Sequence, residues 1–127
     1  MSERPLVLIV DDEHDFRAIC AHVLDRGGYD TAMAADGTEG LAVFEDRKPD
    51  LVVLDGHLPD LDGIEVCRRL RKLPGGDKVP VLMCTVRSAM VTITEGLDAG
   101  VTDYVLKPFE MEDLLARVAD ALKKARK

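Results

Sequence analysis

Positive charge is scarce in this chain: 17 Lys and Arg stand against 24 Asp and Glu, a formal net charge of −7 over 127 residues. Nucleic acids and anionic membranes are gripped through phosphates that need a basic face, so direct binding to either is not expected. Long apolar runs are missing too. The longest uncharged apolar run near the start, residues 5–10, falls far short of the roughly 20 residues that span a bilayer. No basic and hydrophobic leader precedes it, so a secretory signal is not expected. The three cysteines, Cys20, Cys67 and Cys84, are widely spaced and form no CxxC pair. That pattern reads as reduced thiols of a cytoplasmic protein, not as a disulfide or zinc framework. Repeats, low-complexity stretches and linkers are also absent. What remains is the balance of a soluble globular domain, 46% hydrophobic and 32% charged. The length fits one domain over residues 1–127, large enough to bury roughly two thirds of its unfolded surface.

Four short apolar runs stand out, at residues 6–10, 51–54, 81–84 and, more mixed, 104–106. Each is continuous rather than alternating, the pattern of a strand covered on both faces. Residues 29–34 form a weaker fifth candidate, nearer an edge. Segments with helical spacing lie between them. Phe16, Ile19, Cys20, Val23 and Leu24 make one apolar stripe, stopped by Gly27 and Gly28. Leu41 and Phe44 anchor a short helix after the turn at Asp36 and Gly37, and Ile64, Cys67 and Leu70 anchor a third. Met111, Leu114, Leu115, Val118 and Leu122 anchor the last, with acids in its first turn and bases in its last, as the helix dipole favours. Residues 89–99 contain four successive β-branched residues, 91–94, and then Gly96, so propensity alone permits a strand. The alternation of the elements around it makes this segment a marginal helix. Strand and helix then alternate five times, a (βα)5 chain with a parallel sheet covered by helices on both faces.

In such sheets ligands bind beyond the carboxyl ends of the strands. The first strand ends in Asp11 and Asp12, the third in Asp55, the fourth in Thr85 and the fifth in Lys107. Each has an ordinary reading. Asp11 or Asp12 could cap a helix, Asp55 could open a turn with Gly56, Thr85 could simply end a strand, and Lys107 could be a solvated loop residue. Their occurrence together, each directly after its own apolar run, favours a shared site. Carboxylates gathered at one edge repel one another and need a cation, for which Mg2+ is the hard, oxygen-seeking candidate. A hydroxyl and an ammonium opposite suit an anion sharing that metal. The chemistry indicated is phosphoryl transfer to a carboxylate.

With these residues in view, the chain resembles the receiver domains of two-component response regulators. The resemblance is carried by Val10-Asp11-Asp12-Glu13, by the run from Leu54 through Asp55, Gly56, His57, Leu58, Pro59, Asp60, Leu61 and Asp62 to Gly63, by Cys84-Thr85, and by the run from Asp103 through Tyr104, Lys107 and Pro108 to Phe109. It covers a core of about residues 5–122, leaving 123–127 as a basic C-terminal tail. It implies a flavodoxin-like doubly wound fold, a five-stranded parallel sheet with strand order 2-1-3-4-5. Residue by residue it implies Asp55 as phosphoacceptor. Asp11, Asp12, Asp55 and the His57 carbonyl would hold Mg2+, directly or through water. Thr85 and Lys107 would bind the phosphoryl oxygens, and Lys107-Pro108 would be a cis bond. Thr85 and Tyr104 would be the switch pair, with His57, Val86 and Arg87 tuning access to the site. The implied partner is a histidine kinase or a histidine phosphotransfer domain, with an output protein or fused output domain downstream.

Three other functions are open to test. A pseudo-receiver that only binds proteins would not need the intact acidic and basic set. A flavodoxin-type electron carrier should have a Ser, Thr and Gly-rich loop after the first strand, where this chain has Asp11, Asp12, Glu13 and His14. An Asp-nucleophile hydrolase should have a second Asp two residues after Asp55, where this chain has His57. His14 and His22 sit at no metal spacing and read as surface residues, and Arg68, Arg69, Arg71 and Lys72 read as a solvated face near a helix C-terminus. Leu58 stands where the family often has Met, a conservative exchange. Val86 departs from the small residue that usually follows the switch threonine. A β-branched side chain there should crowd small phosphodonors and water. Val86→Ala is expected to speed reaction with acetyl phosphate, and an unchanged rate measured by phosphorylation time course would contradict this.

Overall fold

Apolar residues that alternate between two helix layers account for the sheet. The structure is a computed structural model, and it describes residues 4–86, 98–107 and 109–125. The strands are β1 (Leu6–Val10), β2 (Asp30–Ala34), β3 (Leu51–Asp55), β4 (Val81–Val86) and β5 (Asp103–Lys107). The helices are α1 (His14–Arg26), α2 (Gly37–Arg47), α3 (Gly63–Arg71) and α4 (Met111–Ala125). All four strand pairings are parallel, in the order β2-β1-β3-β4-β5. This is the flavodoxin-like α/β architecture, with strand order reversing between β1 and β3.

Each central strand sends alternate side chains to opposite layers. On one side Leu8, Val10, Val52, Leu54, Val81 and Met83 pack with Phe44 of α2 and with Ile64, Val66, Cys67 and Leu70 of α3. On the other, Val7, Ile9, Leu51, Val53, Leu82 and Cys84 pack with Cys20 and Leu24 of α1 and with Leu114, Val118 and Leu122 of α4. Burial on both faces explains the continuous apolar runs. The weaker strand, β2, lies at the edge with Met33 exposed. His14 and His22 are exposed on α1. Lys123, Lys124 and Ala125, expected to lie in a C-terminal tail, instead continue α4. Residues 98 and 99 are helical, and the rest of the helix expected over 89–99 lies outside the described residues.

Two sequence readings need correction. Ile19 belongs to the apolar stripe of α1 by spacing, yet it is 51% exposed. Cys20 and Leu24 already fill the contact with the sheet, and Ile19 falls off that face. Arg71, read as part of a solvated basic face, is half-buried and bonded to backbone. Its Nε and Nη2 donate to the Gly100 carbonyl at 3.1 and 2.5 Å. Its Nη1 donates to Gly76 O at 2.8 Å and also to Val79 O. One turn earlier on α3, Cys67 Sγ reaches Ala99 O at 3.5 Å. Arg71 thus ties α3 to the turns that lead into β4 and β5. Gly100 has φ of +97°, and a Cβ there would lie 2.8 Å from Arg71 Nε. The neighbouring Arg69 keeps the expected surface role, pairing with Glu65 at 2.9 Å.

Replacing Arg71 with Met strands carbonyls that its guanidinium now satisfies. Arg71→Met is expected to lower the unfolding free energy by about 2 kcal/mol. Arg71→Lys should recover only part, because an ammonium lacks the planar fork. Urea unfolding of both variants checks the order, and wild-type stability in Arg71→Met would contradict it.

Candidate functional site

Parallel strands finish at a common edge, and there β1, β3 and β5 deliver Asp11, Asp55 and Lys107. Asp11 follows the last residue of β1 and is only 2% exposed. Its backbone is fixed by an N–H bond to Ala34 O at 3.1 Å and by Arg17, whose Nη1 donates to the Asp11 carbonyl at 2.7 Å. Its Oδ1 accepts the Glu13 N–H at 2.9 Å and its Oδ2 accepts Lys107 Nζ at 3.0 Å. The capping alternative is not realised, since Glu13 is the N-cap of α1 and makes no side-chain cap bond; one Asp11 oxygen braces the turn before the helix while the other meets the lysine. Asp12, the next residue, is exposed.

Asp55 closes β3 and is 8% exposed. Its Oδ1 accepts the His57 N–H at 3.2 Å and lies 3.6 Å from Lys107 Nζ. Gly56 N–H donates to Cys84 O at 3.0 Å, and Gly63 N–H donates to Gly56 O at 3.1 Å. A Cβ at Gly63 would fall 2.4 Å from Asp55 O, so only glycine lets α3 start this close to the site. Asp11, Asp12 and Asp55 each offer an oxygen, and these oxygens lie within 4.8 Å of one another. Three carboxylates against one ammonium leave two formal negative charges in a largely buried space. The donor set, all oxygen and anionic, fits a divalent ion such as Mg2+.

Lys107, the last residue of β5, is 24% exposed at its side chain. Burial works against its charge. The hydrogen bond to Asp11 and the charges of Asp55 and Asp11 outweigh that, and its pKa rises above the ordinary value. Its ammonium also lies over the Phe16 ring, 4.4 Å from the centroid, a cation–π contact. Phe109 braces that ring edge-on at 5.9 Å. Sequence reasoning placed Phe16 only in a core stripe. Its contact with Lys107 joins α1 to the end of β5, far apart in sequence, and no local pattern announces it.

Other expected site residues are placed by the backbone. Thr85 and Val86 end β4, with Thr85 opposite Leu106 and Val86 opposite Lys107. Arg87 and Pro108 lie outside the described residues, and with Pro108 the expected cis bond. Tyr104 is half-buried and packs against the α2 and α3 layer of the core. His57 is exposed and forms an isolated antiparallel bridge with Asp62. The three cysteines are buried and unpaired. Burial pushes the thiols of Cys20 and Cys84 up to about 12, which leaves them unreactive.

Comparison with known proteins shows the family and fold. Residues 7–119 match the family described as the response regulator receiver domain. The chain is 43% identical over 118 residues to the response regulator MprA of Mycobacterium sp. (strain KMS), covering 93% of this chain and 50% of that protein. It is 42% identical over 120 residues to the MprA of Mycobacterium avium (strain 104), covering 94% and 52%. The chain thus spans about half the length of the curated relatives it matches. Among solved structures, the CheY-like receiver domain protein of Methanospirillum hungatei JF-1 superposes with a TM-score of 0.92 at 29% identity, covering 98% of each chain. Chemotaxis protein CheY4 of Vibrio cholerae superposes with a TM-score of 0.89 at 31% identity, covering 93% of this chain and 98% of that one.

Burial is the main reason that Asp55 is held above the usual carboxylate range. Lys107 opposes the shift, Asp11 adds to it, the His57 N–H opposes it and Asp12 adds a little. In the unfolded chain the carboxyl ionises at its ordinary value. From that pH upward ionisation is easier unfolded, so stability falls until Asp55 is also ionised in the folded state, and the loss persists at neutral pH. Asp55→Asn is therefore expected to raise the melting temperature at pH 7 without added metal, with the gain shrinking below about pH 4. Calorimetry at the two pH values tests the sign, and a lower melting temperature at pH 7 would contradict it.

Proposed function

The chain belongs to the response regulator receiver domain family, and we propose that it is a phospho-switch that takes a phosphoryl group from a partner's phosphohistidine onto Asp55. The observation that carries this reading is the convergence of Asp11, Asp12, Asp55 and Lys107 at one sheet edge. Asp55 is the nucleophile. One of its carboxylate oxygens forms a bond to phosphorus as the donor's P–N bond breaks, and that electron pair returns to the imidazole nitrogen. Buried beside Asp11, the Asp55 carboxylate lacks full solvation and is held in place by the His57 N–H. Asp11, Asp12, Asp55 and the His57 carbonyl would hold Mg2+. When bound, the metal supplies positive charge for the incoming phosphoryl oxygens.

Lys107 is the cation that the protein itself contributes. It begins between Asp11 and Asp55, so it is already at the position where the acyl phosphate would form. Thr85, at the end of β4, would donate its hydroxyl to a phosphoryl oxygen, and Tyr104 would follow it in changing the output face. His57, Val86 and Arg87 would govern the access of water and donor. The domain would catalyse only its own phosphorylation and dephosphorylation. Its phosphodonor would be a histidine kinase or a histidine phosphotransfer domain, met in the cytoplasm. The output would lie in a downstream protein or a fused domain. Among the described residues no helix is long and apolar enough to cross a membrane.

Incubation with acetyl phosphate and Mg2+ is expected to add the mass of one phosphoryl group. The gain should disappear with a chelator and in Asp55→Asn. Intact-protein mass spectrometry checks all three. A wild-type protein that gains nothing with Mg2+ present, and whose Val86→Ala variant also gains nothing, would refute the phospho-switch and leave a protein-binding module on the receiver fold.

A further inference from the structure

The loop between β3 and α3 is tied to the acidic site at its ends and to a different helix in its middle. At the site, the His57 N–H holds Asp55 Oδ1, His57 bridges to Asp62, and Gly63 bonds Gly56. In the middle, Asp60 leaves the loop and meets the N-terminus of α2. Its Oδ1 accepts the Gly37 N–H at 2.8 Å and the N–H of its own neighbour Leu61 at 2.8 Å. Its Oδ2 accepts the Thr38 N–H at 2.9 Å and the Thr38 hydroxyl at 2.6 Å. One exposed carboxylate thus receives four donors. The bonds from the Thr38 hydroxyl and N–H, helped by Gly37 and opposed by burial, keep it well below the usual carboxylate range, so it stays an acceptor across ordinary pH.

Helix α2 does not need Asp60 as its cap. Asp36 is its N-cap and already accepts the Glu39 N–H at 2.7 Å, while Glu39 Oε1 reaches back to the Ala35 N–H at 2.9 Å, one residue before the cap. What Asp60 adds is a join between two elements. Gly37 shows how tight the join is, since a Cβ there would lie 2.7 Å from Val66 and 3.2 Å from Asp60 Oδ1. Only Leu58 and Pro59 separate Asp60 from His57, and the proline ring fixes one of the dihedrals between them. Displacement at Asp60 therefore passes to His57 with little slack.

We infer that Asp60 is a positioning residue for the metal site: by clamping the β3–α3 loop to the start of α2, it holds the His57 backbone and the Asp55 carboxylate where a divalent cation takes them. The inference rests on reading Asp11, Asp12 and Asp55 as that cation's ligands. Groups that orient ligands without touching the metal typically cost about tenfold or more in affinity when removed. Asp60 fits that role, because its carboxylate is bonded to the start of α2 and to Leu61 rather than offered to a cation.

The test titrates Mg2+ into the full chain without any phosphodonor, following the amide resonances of Gly56 and His57. Asp60→Ala is expected to raise the Mg2+ dissociation constant about tenfold. Thr38→Val keeps the shape and removes only the hydroxyl, and should raise it about threefold. The double variant should be no weaker than Asp60→Ala alone, since both changes break one clamp. Asp36→Ala supplies the control: it should lower the melting temperature while leaving Mg2+ affinity unchanged. Wild-type affinity in both Asp60→Ala and Thr38→Val would overturn the clamp, as would an equal loss of affinity in Asp36→Ala. A wild-type chain that binds no Mg2+ would instead overturn the metal reading on which the clamp rests.

Discussion

The ammonium of Lys107, between Asp11 and Asp55, is the interaction on which the carboxyl edge of the sheet depends. Parallel pairing carries the ends of β1, β3 and β5 to one edge, and two of those ends bring buried carboxylates. Unpaired, such charges are expensive. Removing one partner of a buried pair typically costs about 3–5 kcal/mol. Lys107 reaches Asp11 at 3.0 Å and Asp55 at 3.6 Å, so one cation from the edge strand offsets two anions from the centre. The ammonium is itself steadied by the Phe16 ring, which belongs to α1. One side chain thereby connects β1, β3, β5 and α1 at the place where chemistry is expected.

The remainder of the fold keeps that edge narrow. Gly40 of α2 comes so close to Val10 that a Cβ would stand 3.0 Å from its methyls, and Gly63 does the same against the Asp55 carbonyl. Both helices therefore begin directly against strand ends that carry the acids or precede them. On the other margin, Arg71 gathers the Gly76, Val79 and Gly100 carbonyls, fixing the approach to β4 and β5. Loops at a sheet edge are ordinarily where register is loosest. Among the described residues, the loop between β3 and α3 is pinned by Asp60 to Thr38 of α2, and Asp11 is held by Lys107 from the end of β5.

The same distinction explains what could be read from the chain and what could not. Strands β1, β3 and β4 were legible because burial on both faces leaves continuous apolar runs, and the acids were legible because each directly ends such a run. Helix α4 was legible from its spacing and its charged ends. Arg71 was misread because an arginine on a helix exterior looks the same whether water or a backbone carbonyl lies opposite. Ile19 was misread because spacing defines a stripe but not how much of it the sheet can cover. The contacts that Asp60 and Phe16 make carried no local signal. Their partners, Thr38 and Lys107, are brought near only by the finished topology. Local pattern reveals what the sheet buries, whereas side chains that join loops become visible only in three dimensions.

The bonding of Asp11 also divides labour among the three acids. Both of its oxygens are engaged, one with the Glu13 N–H and the other with Lys107. Asp12 is exposed, and Asp55 keeps one oxygen outside the bond to His57. A cation entering from solvent would therefore meet Asp12 and Asp55 first, and could engage Asp11 through water without breaking its bonds. Asp11 Oδ2 is the atom that Lys107 already holds, so the lysine and a bound cation would share one charge balance. Neither is sufficient alone: the lysine leaves two acids uncompensated, and a divalent ion without the lysine would have to satisfy all three. Within this set the charge of the buried Asp55 carboxylate is met in a graded way, by the His57 N–H and by Lys107.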